Sequence, residues 1–256
     1  MSSAVGVDIG GSGIKCALVD TRSGSLLTER VRLETPQPAT PRAVSEVVAA
    51  VVARVGAEVP VGATLPAVVR HGRAETAANI DATWIGTDAE SLLSAAVGQP
   101  VTVLNDADAA GVAEVTFGAG KGLAGVVVVL TLGTGIGSAV FTDGRLVPNT
   151  ELGHLHLHHQ GDAENWAADS VREREDLSWK EWAGRVEHYL RHLESLLWPD
   201  LFIIGGGVSK KSDKFLPRIS LRTPMVPAVL LNNAGIVGAA MQAQRLFGQA
   251  ASDGLS

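Results

Sequence analysis

The sequence has little cysteine, few aromatic residues and no excess of positive charge. Of its 256 residues one is cysteine and 4% are aromatic, and 27 acidic residues outnumber 21 basic ones, for a formal net charge of −6. A chain with this balance lacks the basic footprint of a nucleic-acid-binding protein, so no nucleic-acid partner is expected. With Cys16 alone, a disulfide framework and a cysteine-based zinc site are excluded, which favours a reducing, cytoplasmic location.

One uncharged stretch, residues 122–142, has the length needed to span a bilayer. Its glycines and β-branched residues favour a buried strand, turn and strand over a membrane helix. The first four residues carry no basic segment, so we expect neither a secretory signal nor a membrane partner.

Alternating apolar residues and glycine turns predict three antiparallel strands at the start of the chain, at residues 5–9, 14–19 and 26–33. A helix should follow, because Thr40 suits the N-cap, Pro41 suits the first helical position and valines recur at helical spacing. Gly56 should end this helix, and a strand is expected at 59–65.

The second half of the chain repeats this plan. A glycine turn at Gly133 follows the turn at Gly10 by 123 residues, again between a strand, 126–132, and a returning strand that leads to Asp143-Gly144, a hairpin signal. The simplest interpretation is an α/β protein of two similar halves with a central cleft. We predict a small N-terminal lobe, 1–105, with a closing helix at 235–248 packed on it, and a larger lobe, 106–234.

The first glycine turn, within residues 8–15, has the composition of a phosphate cradle. Its glycines leave room for an anion, and Ser12 and Lys15 add donors. Asp8, at the end of the preceding strand, is a candidate Mg²⁺ ligand, directly or through water. The alternative is a hairpin whose glycines only permit positive φ; the second turn, 131–137, favours two phosphate-binding turns instead.

Asn105 and Asp106 follow a predicted strand and open a predicted helix. Asp106 could be an N-cap and nothing more. It could also be a general base, because open α/β sheets bind ligands at the carboxyl ends of their strands, and Asn105 would then bind the same substrate.

Glu151 and His154 lie three residues apart after a turn, and both side chains suit sugar hydroxyls. Strand alternation would place His154, His156 and His158 on one face, so a metal site is an alternative. Exposed polar residues on an edge strand are the plain explanation for His156, His158 and His159.

A basic strip lies between Ser209 and Arg222, where five basic residues face one acidic residue. Its members are Lys210, Lys211, Lys214, Arg218 and Arg222. The strip is either solvated surface or a track for a long polyanion beside a phosphate site.

Taken together, the motifs at 8–15, 104–106, 117–122, 130–139, 151–154 and 204–209 occur in the order found in the ROK (repressor, open reading frame, kinase) family. The chain resembles the sugar kinases of that family from about residue 5 to 243, and most closely the actinobacterial glucokinases that use polyphosphate or ATP. The resemblance implies an actin-like, ribonuclease H-like fold of two lobes whose cleft closes on sugar and phosphoryl donor. The implied reaction is transfer of a terminal phosphoryl group from polyphosphate or ATP to the 6-hydroxyl of glucose, and possible further acceptors include mannose.

The resemblance also implies roles for individual residues. Asp106 is similar to the catalytic base, and Mg²⁺ near Asp8 is the implied cofactor. The implied sugar ligands are Asn79, Asn105, Asp106, Glu151, His154 and Glu164. The implied phosphate contacts are Gly11, Ser12, Gly13, Lys15, Thr134 and Gly135. The implied nucleotide or polyphosphate side comprises Gly206, Gly207, Lys210, Lys211 and Lys214.

Two departures from the family pattern matter. Many members carry a three-cysteine zinc motif after the Glu-x-x-His motif, but residues 160–168 contain no cysteine, so no structural zinc is expected. The first glycine motif begins within ten residues of the start, so no N-terminal helix-turn-helix is expected. An ATP-only glucokinase, a non-catalytic sugar sensor and an actin-like polymer are the rival interpretations, and both a monomer and a homodimer stay open.

Overall fold

The computed structural model describes residues 2–253, and the chain divides into two compact units. The first unit comprises the residues up to Ala113 together with those from Asn232 onward, and the second is Glu114–Leu231. The second unit is therefore an insertion between two segments of the first unit. The lobe boundaries given above, 1–105 and 106–234, stay a prediction.

A five-stranded sheet forms the core of the first unit. The strands of this unit are β1 (Ser3–Ile9), β2 (Ile14–Asp20), β3 (Val31–Leu33), β4 (Val61–Leu65), the small hairpin of β5 (Val69–Arg70) and β6 (Arg73–Ala74), and β7 (Val101–Asn105). The order in the main sheet is β3-β2-β1-β4-β7, and β1, β4 and β7 are parallel. The carboxyl ends of three parallel strands therefore meet at one edge, where ligands of open α/β sheets bind.

The first two predicted strands are confirmed, but the third is shorter than expected. Within 26–33, only Val31–Leu33 forms a strand, and Leu26 contributes an isolated bridge to Val19. Residues 29 and 30, Glu and Arg, separate the two paired segments. Polar residues at these positions interrupt the apolar alternation that strand pairing rewards.

The helices of the first unit before the crossing are α1 (Pro41–Val55), α2 (Ala89–Val97) and α3 (Asp106–Thr116), which continues into the second unit. The predicted start and end of α1 are confirmed. The Thr40 side chain accepts the backbone N–H of Ala43, and Gly56 adopts the left-handed conformation with φ 66°. Buried valines line the face of α1 that packs on the sheet.

The second unit has its own five-stranded sheet, in the order β10-β9-β8-β13-β14. Its strands are β8 (Val126–Leu132), β9 (Ile136–Thr142), β10 (Arg145–Val147), the hairpin β11 (His156–Leu157) and β12 (Gly161–Asp162), β13 (Leu201–Gly205) and β14 (Met225–Pro227). Its helices are α4 (Glu164–Ala167), α5 (Asp169–Arg174) and α6 (Trp179–Leu197). The predicted hairpin is confirmed, because Asp143 and Gly144 both have positive φ between β9 and β10.

The uncharged stretch 122–142 contains β8, a glycine turn and β9, as the sequence predicts. Over residues 2–253, no helix is long and apolar enough to cross a membrane.

Glu114 is a buried carboxylate that anchors two loops of the second unit. Its Oε1 accepts the backbone N–H groups of Val229 and Leu230, at 2.9 and 2.6 Å, and its Oε2 accepts that of Ala119 at 3.0 Å. Charge-assisted bonds of this kind offset the cost of burying a carboxylate. One side chain thus fixes both the loop after α3 and the last residues of the unit.

The closing helix α7 (Ala234–Asp253) belongs to the first unit and packs on β1, β2 and β4. Glycines in the sheet allow the backbone of α7 to approach the strands closely. A Cβ on Gly6 would collide with the carbonyl of Ile236, and one on Gly62 with the carbonyl of Ala239. Because a larger side chain would separate helix and sheet, both positions require glycine.

Candidate active site

The first glycine turn joins β1 to β2 and is closed by a backbone hydrogen bond from Gly10 N–H to the Gly13 carbonyl at 3.2 Å. The Ser12 side chain is exposed, as a ligand contact would require. The loop that carries Asn79 packs on this turn, since a Cβ on Gly11 would lie 3.1 Å from the Asn79 carbonyl oxygen. Asn79 itself is exposed and has φ 59°. The first unit therefore brings a predicted sugar ligand beside the predicted phosphate turn.

Asp8 lies beside this turn and has two side-chain partners. Its Oδ2 is 2.9 Å from Lys15 Nζ, and its Oδ1 accepts a hydrogen bond from Thr64 Oγ1 at 3.2 Å. Each carboxylate oxygen of Asp8 therefore already has a partner, the Lys15 ammonium group on Oδ2 and the Thr64 hydroxyl on Oδ1. The carboxylate therefore fits Mg²⁺ held through water better than Mg²⁺ bound directly, because Mg²⁺ retains several of its waters in protein sites.

Arg32, which the sequence reasoning missed, adds a second cation at the turn. It pairs with Lys15 in the register of β2 and β3, and its Nη2 donates to the Ser12 carbonyl at 3.2 Å. A Cβ on Gly13 would lie only 2.7 Å from Arg32 Nε, so glycine makes room for the guanidinium. The signal was present in the strand alternation of Val31-Arg32-Leu33, but the register that sets Arg32 against Lys15 is a tertiary property.

Asn105 ends β7, and Asp106 begins α3. The buried side chain of Asn105 donates to the Ala67 carbonyl at 3.0 Å, and its Oδ1 accepts the backbone N–H groups of Ala107 and Asp108 at 2.8 and 3.0 Å. Asn105 is therefore the cap of α3, and the interpretation of Asp106 as an N-cap and nothing more is wrong. Asp106 is exposed, with its Oδ1 2.9 Å from the backbone nitrogen of Ala107.

The second unit brings Glu151, His154 and Glu164 together. Nε2 of His154 is 4.0 Å from Glu151 Oε2, and Nδ1 is 3.6 Å from Glu164 Oε1. A further carboxylate that the sequence reasoning missed, Asp162, lies 3.4 Å from the same Nδ1. Three carboxylates therefore surround one imidazole, an arrangement rich in acceptors for sugar hydroxyls.

Burial raises the pKa of Glu151 above its ordinary value, and the neighbouring Glu164 carboxylate raises it further. The His154 imidazole acts in the opposite direction. A carboxyl with a raised pKa in a polar cluster is a typical feature of a functional site.

The expectation that His154, His156 and His158 share one strand face is wrong. His154 ends a short 3₁₀ helix, Leu152–His154, whereas His156 lies on β11. The change of backbone conformation breaks the two-residue period on which the expectation depended. Among the residues that the structure describes, no group of three or more His, Cys, Asp or Glu side chains has the arrangement of a metal site.

The second glycine turn and the third glycine cluster lie at the same edge of the second sheet. Gly205 pairs with Thr131 in the parallel register of β13 and β8, and Gly206, with φ 83°, packs so closely on Leu132 that a Cβ would overlap the backbone. Gly135 lies beside the sugar-ligand cluster, since a Cβ there would be 2.5 Å from Glu164 Oε2. The predicted sugar and phosphate contacts of this unit are thus neighbours.

Four of the five basic residues of the strip lie on two 3₁₀ segments, Gly207–Lys214 and Leu216–Arg218, and the fifth, Arg222, follows them. Lys211 and Lys214 place their Nζ atoms 5.8 and 5.6 Å from the ring centre of Trp179, and the Arg172 guanidinium lies 4.3 Å from it. Three cations therefore lie within cation–π distance of the Trp179 ring. The sequence predicts the charges of the strip but not the proximity of Lys211 and Lys214 to the Trp179 ring.

Comparison with known proteins identifies the family. The model of the ROK family matches residues 4–164. The chain belongs to the ROK family. Among ROK proteins, polyphosphate glucokinase from Mycobacterium tuberculosis is 54% identical over 237 residues, which cover 92% of this chain and 89% of that protein.

Solved ROK structures show the same architecture. The inorganic polyphosphate/ATP-glucomannokinase from Arthrobacter sp. strain KM superposes with a TM-score of 0.91 at 52% identity, covering 96% of this chain and 99% of that one. A ROK family glucokinase from Streptomyces griseus, solved with glucose and AMPPNP, gives a TM-score of 0.83 at 27% identity, covering 95% and 99%. The predicted actin-like, two-lobed α/β fold is confirmed.

Proposed function

We propose that this ROK protein transfers the terminal phosphoryl group of inorganic polyphosphate or ATP to the 6-hydroxyl of glucose, and that it also accepts mannose. The observation that carries the proposal is 54% identity to a polyphosphate glucokinase over 92% of the chain. The structural similarity to a polyphosphate/ATP-glucomannokinase supports the choice of two donors and the second sugar. The product is a hexose 6-phosphate, which places the enzyme in carbohydrate metabolism.

Asp106 acts as the general base. Its carboxylate is exposed at the carboxyl end of β7, where it can accept the proton of the attacking hydroxyl. Asn105 caps α3 by accepting the backbone N–H groups of Ala107 and Asp108, and Asp106, the first residue of the helix, is exposed.

The proposed sugar ligands of the first unit are Asn79, Asn105 and Asp106, and those of the second unit are Glu151, His154 and Glu164. Asn105 has both lone pairs of its oxygen and one N–H committed to the backbone, so it offers a hydroxyl its remaining N–H. Glu151, His154 and Glu164 supply acceptors in the second unit. The exposed Asn79 completes the set of sugar ligands.

The two glycine turns bind the phosphoryl donor. Backbone N–H groups at Gly11, Gly13 and Gly135, the hydroxyls of Ser12 and Thr134, and the Lys15 ammonium stabilise negative charge on the transferred group. Asp8 would hold Mg²⁺ through water, and bound Mg²⁺ would supply charge neutralisation on the phosphoryl oxygens.

The basic strip binds the remainder of the donor. Gly206 and Gly207 lie beside the second glycine turn and form the start of the nucleotide or polyphosphate side. Lys210, Lys211 and Lys214 are exposed along the segment that follows. Each such cation strengthens the electrostatic attraction of a long polyanion, whereas a nucleoside triphosphate is too short to contact the whole strip.

An assay of glucose 6-phosphate formation tests the proposal. Glucose and Mg²⁺ are incubated with nucleotide-free long-chain polyphosphate in one reaction and with ATP in another. Turnover with both donors is expected, and Asp106→Ala, prepared in parallel, controls for contaminating kinases. Turnover with ATP alone would favour an ATP-only glucokinase, a second candidate supported by the similarity to the Streptomyces griseus enzyme solved with AMPPNP. Absence of turnover with either donor would contradict a kinase and favour a sugar sensor.

A further inference from the structure

The two nitrogens of His154 face different groups. Nδ1 is 3.4 Å from Asp162 Oδ2 and 3.6 Å from Glu164 Oε1, whereas Nε2 faces Glu151 Oε2 at 4.0 Å. The side chain of His154 is 56% exposed, so its ring is within reach of a ligand. The nearest of the three carboxylates is the one that no sugar-binding motif contains.

Asp162 is held in place by a short hairpin. It lies on β12, opposite His156 on β11 in the antiparallel register, and its Oδ1 faces His156 Nδ1 at 3.8 Å. Its other oxygen is the one directed at His154. Both oxygens of Asp162 therefore face imidazole nitrogens.

Glu164 faces the same Nδ1 with one carboxylate oxygen and contacts the second glycine turn with the other. Its Oε2 accepts the backbone N–H of Ile136 at 3.4 Å and lies against Gly135 of the second glycine turn. Asp162 approaches Nδ1 more closely than Glu164 does, at 3.4 Å against 3.6 Å. Of the two carboxylates that face Nδ1, Asp162 is thus the nearer, and its Oδ2 is the atom directed at His154.

An ionised carboxylate can only accept hydrogen bonds, so Nδ1, which is 3.4 Å from Asp162 Oδ2, carries the proton. Glu151 Oε2, at 4.0 Å, is beyond hydrogen-bond distance of Nε2. In a neutral imidazole the other nitrogen is then an acceptor. We propose that Asp162 is a positioning residue that holds His154 in its Nδ1–H form and directs Nε2 to accept a hydrogen bond from a sugar hydroxyl. This inference rests on the proposed function for the identity of the ligand, but the state of the ring does not depend on it.

A direct test measures the ring itself. Long-range ¹H–¹⁵N correlation spectra of the full chain, recorded without sugar at an alkaline pH where imidazoles are neutral, distinguish the two tautomers. His154→Gln assigns the resonances of this ring among the seven histidines. We expect the Nδ1–H form in the native chain and in Asp162→Asn, whose amide oxygen still accepts, and a shift toward the Nε2–H form in Asp162→Ala.

The kinetic arm uses the same variants with Asp176→Asn, an exposed carboxylate of the second unit, as the matched control. Loss of one charge-assisted contact predicts a rise in the KM for glucose of about tenfold in Asp162→Ala, a smaller rise in Asp162→Asn and a smaller effect on kcat than on KM. The other histidine resonances report whether each variant is folded. An Nε2–H ring in the native chain, or a tautomer that Asp162→Ala leaves unchanged, would overturn the proposal whether or not the protein phosphorylates glucose.

Discussion

The side-chain oxygen of Asn105 accepts a hydrogen bond from the backbone N–H of Asp108 at 3.0 Å. Asn105 is therefore the cap of α3, whereas the proposed general base is the adjacent residue, Asp106. A change at Asp106 should affect the reaction, whereas a change at Asn105 should affect the helix first.

Replacement of Asp106 by Ala should lower kcat by about 10²–10⁴-fold, the usual contribution of a positioned general base. Glucose affinity and the thermal midpoint should stay near those of the native chain, because the cap of α3 is intact. Steady-state kinetics and calorimetric titration with glucose measure the two effects, with Glu46→Gln on the exposed face of α1 as control. Near-normal turnover would remove Asp106 from the proposed role.

The raised pKa of Glu151 predicts a pH dependence for sugar use. As the pH falls toward that pKa, Glu151 takes up a proton, loses acceptor capacity, and kcat/KM for glucose should decrease. In Glu151→Gln, kcat/KM should be lower at neutral pH and the part of the acid limb due to this group should disappear. Superimposable profiles of the two proteins would contradict the assignment.

The same shift has a consequence for stability. The folded state binds the Glu151 proton more tightly than the unfolded state does, so this group favours folding below its unfolded pKa and loses that contribution as the pH rises through its folded pKa. Glu151→Gln should therefore raise the thermal midpoint more at neutral than at acidic pH. Calorimetric scans across this window measure the difference.

Neutralising the basic strip should separate the two donors. The triple change Lys210→Gln, Lys211→Gln and Lys214→Gln should raise the apparent KM for long polyphosphate more than that for ATP, and added salt should weaken polyphosphate use in the native enzyme. The charge-matched control is Arg54→Gln, Arg70→Gln and Arg145→Gln, three exposed positions. Equal effects on both donors would contradict a polyphosphate-binding role and show that the strip is solvated surface.

Two glycines should respond in opposite directions to alanine. Gly62→Ala forces a methyl group into the Ala239 carbonyl and should destabilise the protein by about 1–3 kcal/mol. Gly184, inside α6, has open space around its Cβ position, and Gly184→Ala should stabilise by about 0.5–1 kcal/mol. Denaturant titrations measure both, and destabilisation by Gly184→Ala would contradict the packing described for α6.

Local signals in the sequence were sufficient for the elements that depend on local chemistry. Thr40 and Gly56 bound α1 as expected, and Asp143-Gly144 forms its hairpin, because capping and positive φ are properties of a few adjacent residues. The motifs likewise located Glu151 and His154, which the structure brings together.

Contacts that depend on register could not be predicted. Arg32 meets Lys15 only because β3 pairs with β2, and Asp162 meets His154 only because of the β11–β12 hairpin. Lys211 and Lys214 lie near the ring of Trp179 although more than 30 residues separate them from it in the sequence. In each case the partner is set by tertiary structure, which no local pattern encodes.

The position of α7 in the chain has a consequence for the order of synthesis. The sheet of the first unit is translated early, but the helix that covers β1 and β4 begins only at Ala234, after the whole of Glu114–Leu231. At ordinary translation rates the nascent sheet waits on the order of ten seconds for its cover. During that interval the second unit can complete its own core, while the first exposes an apolar surface to the ribosome exit and to chaperones.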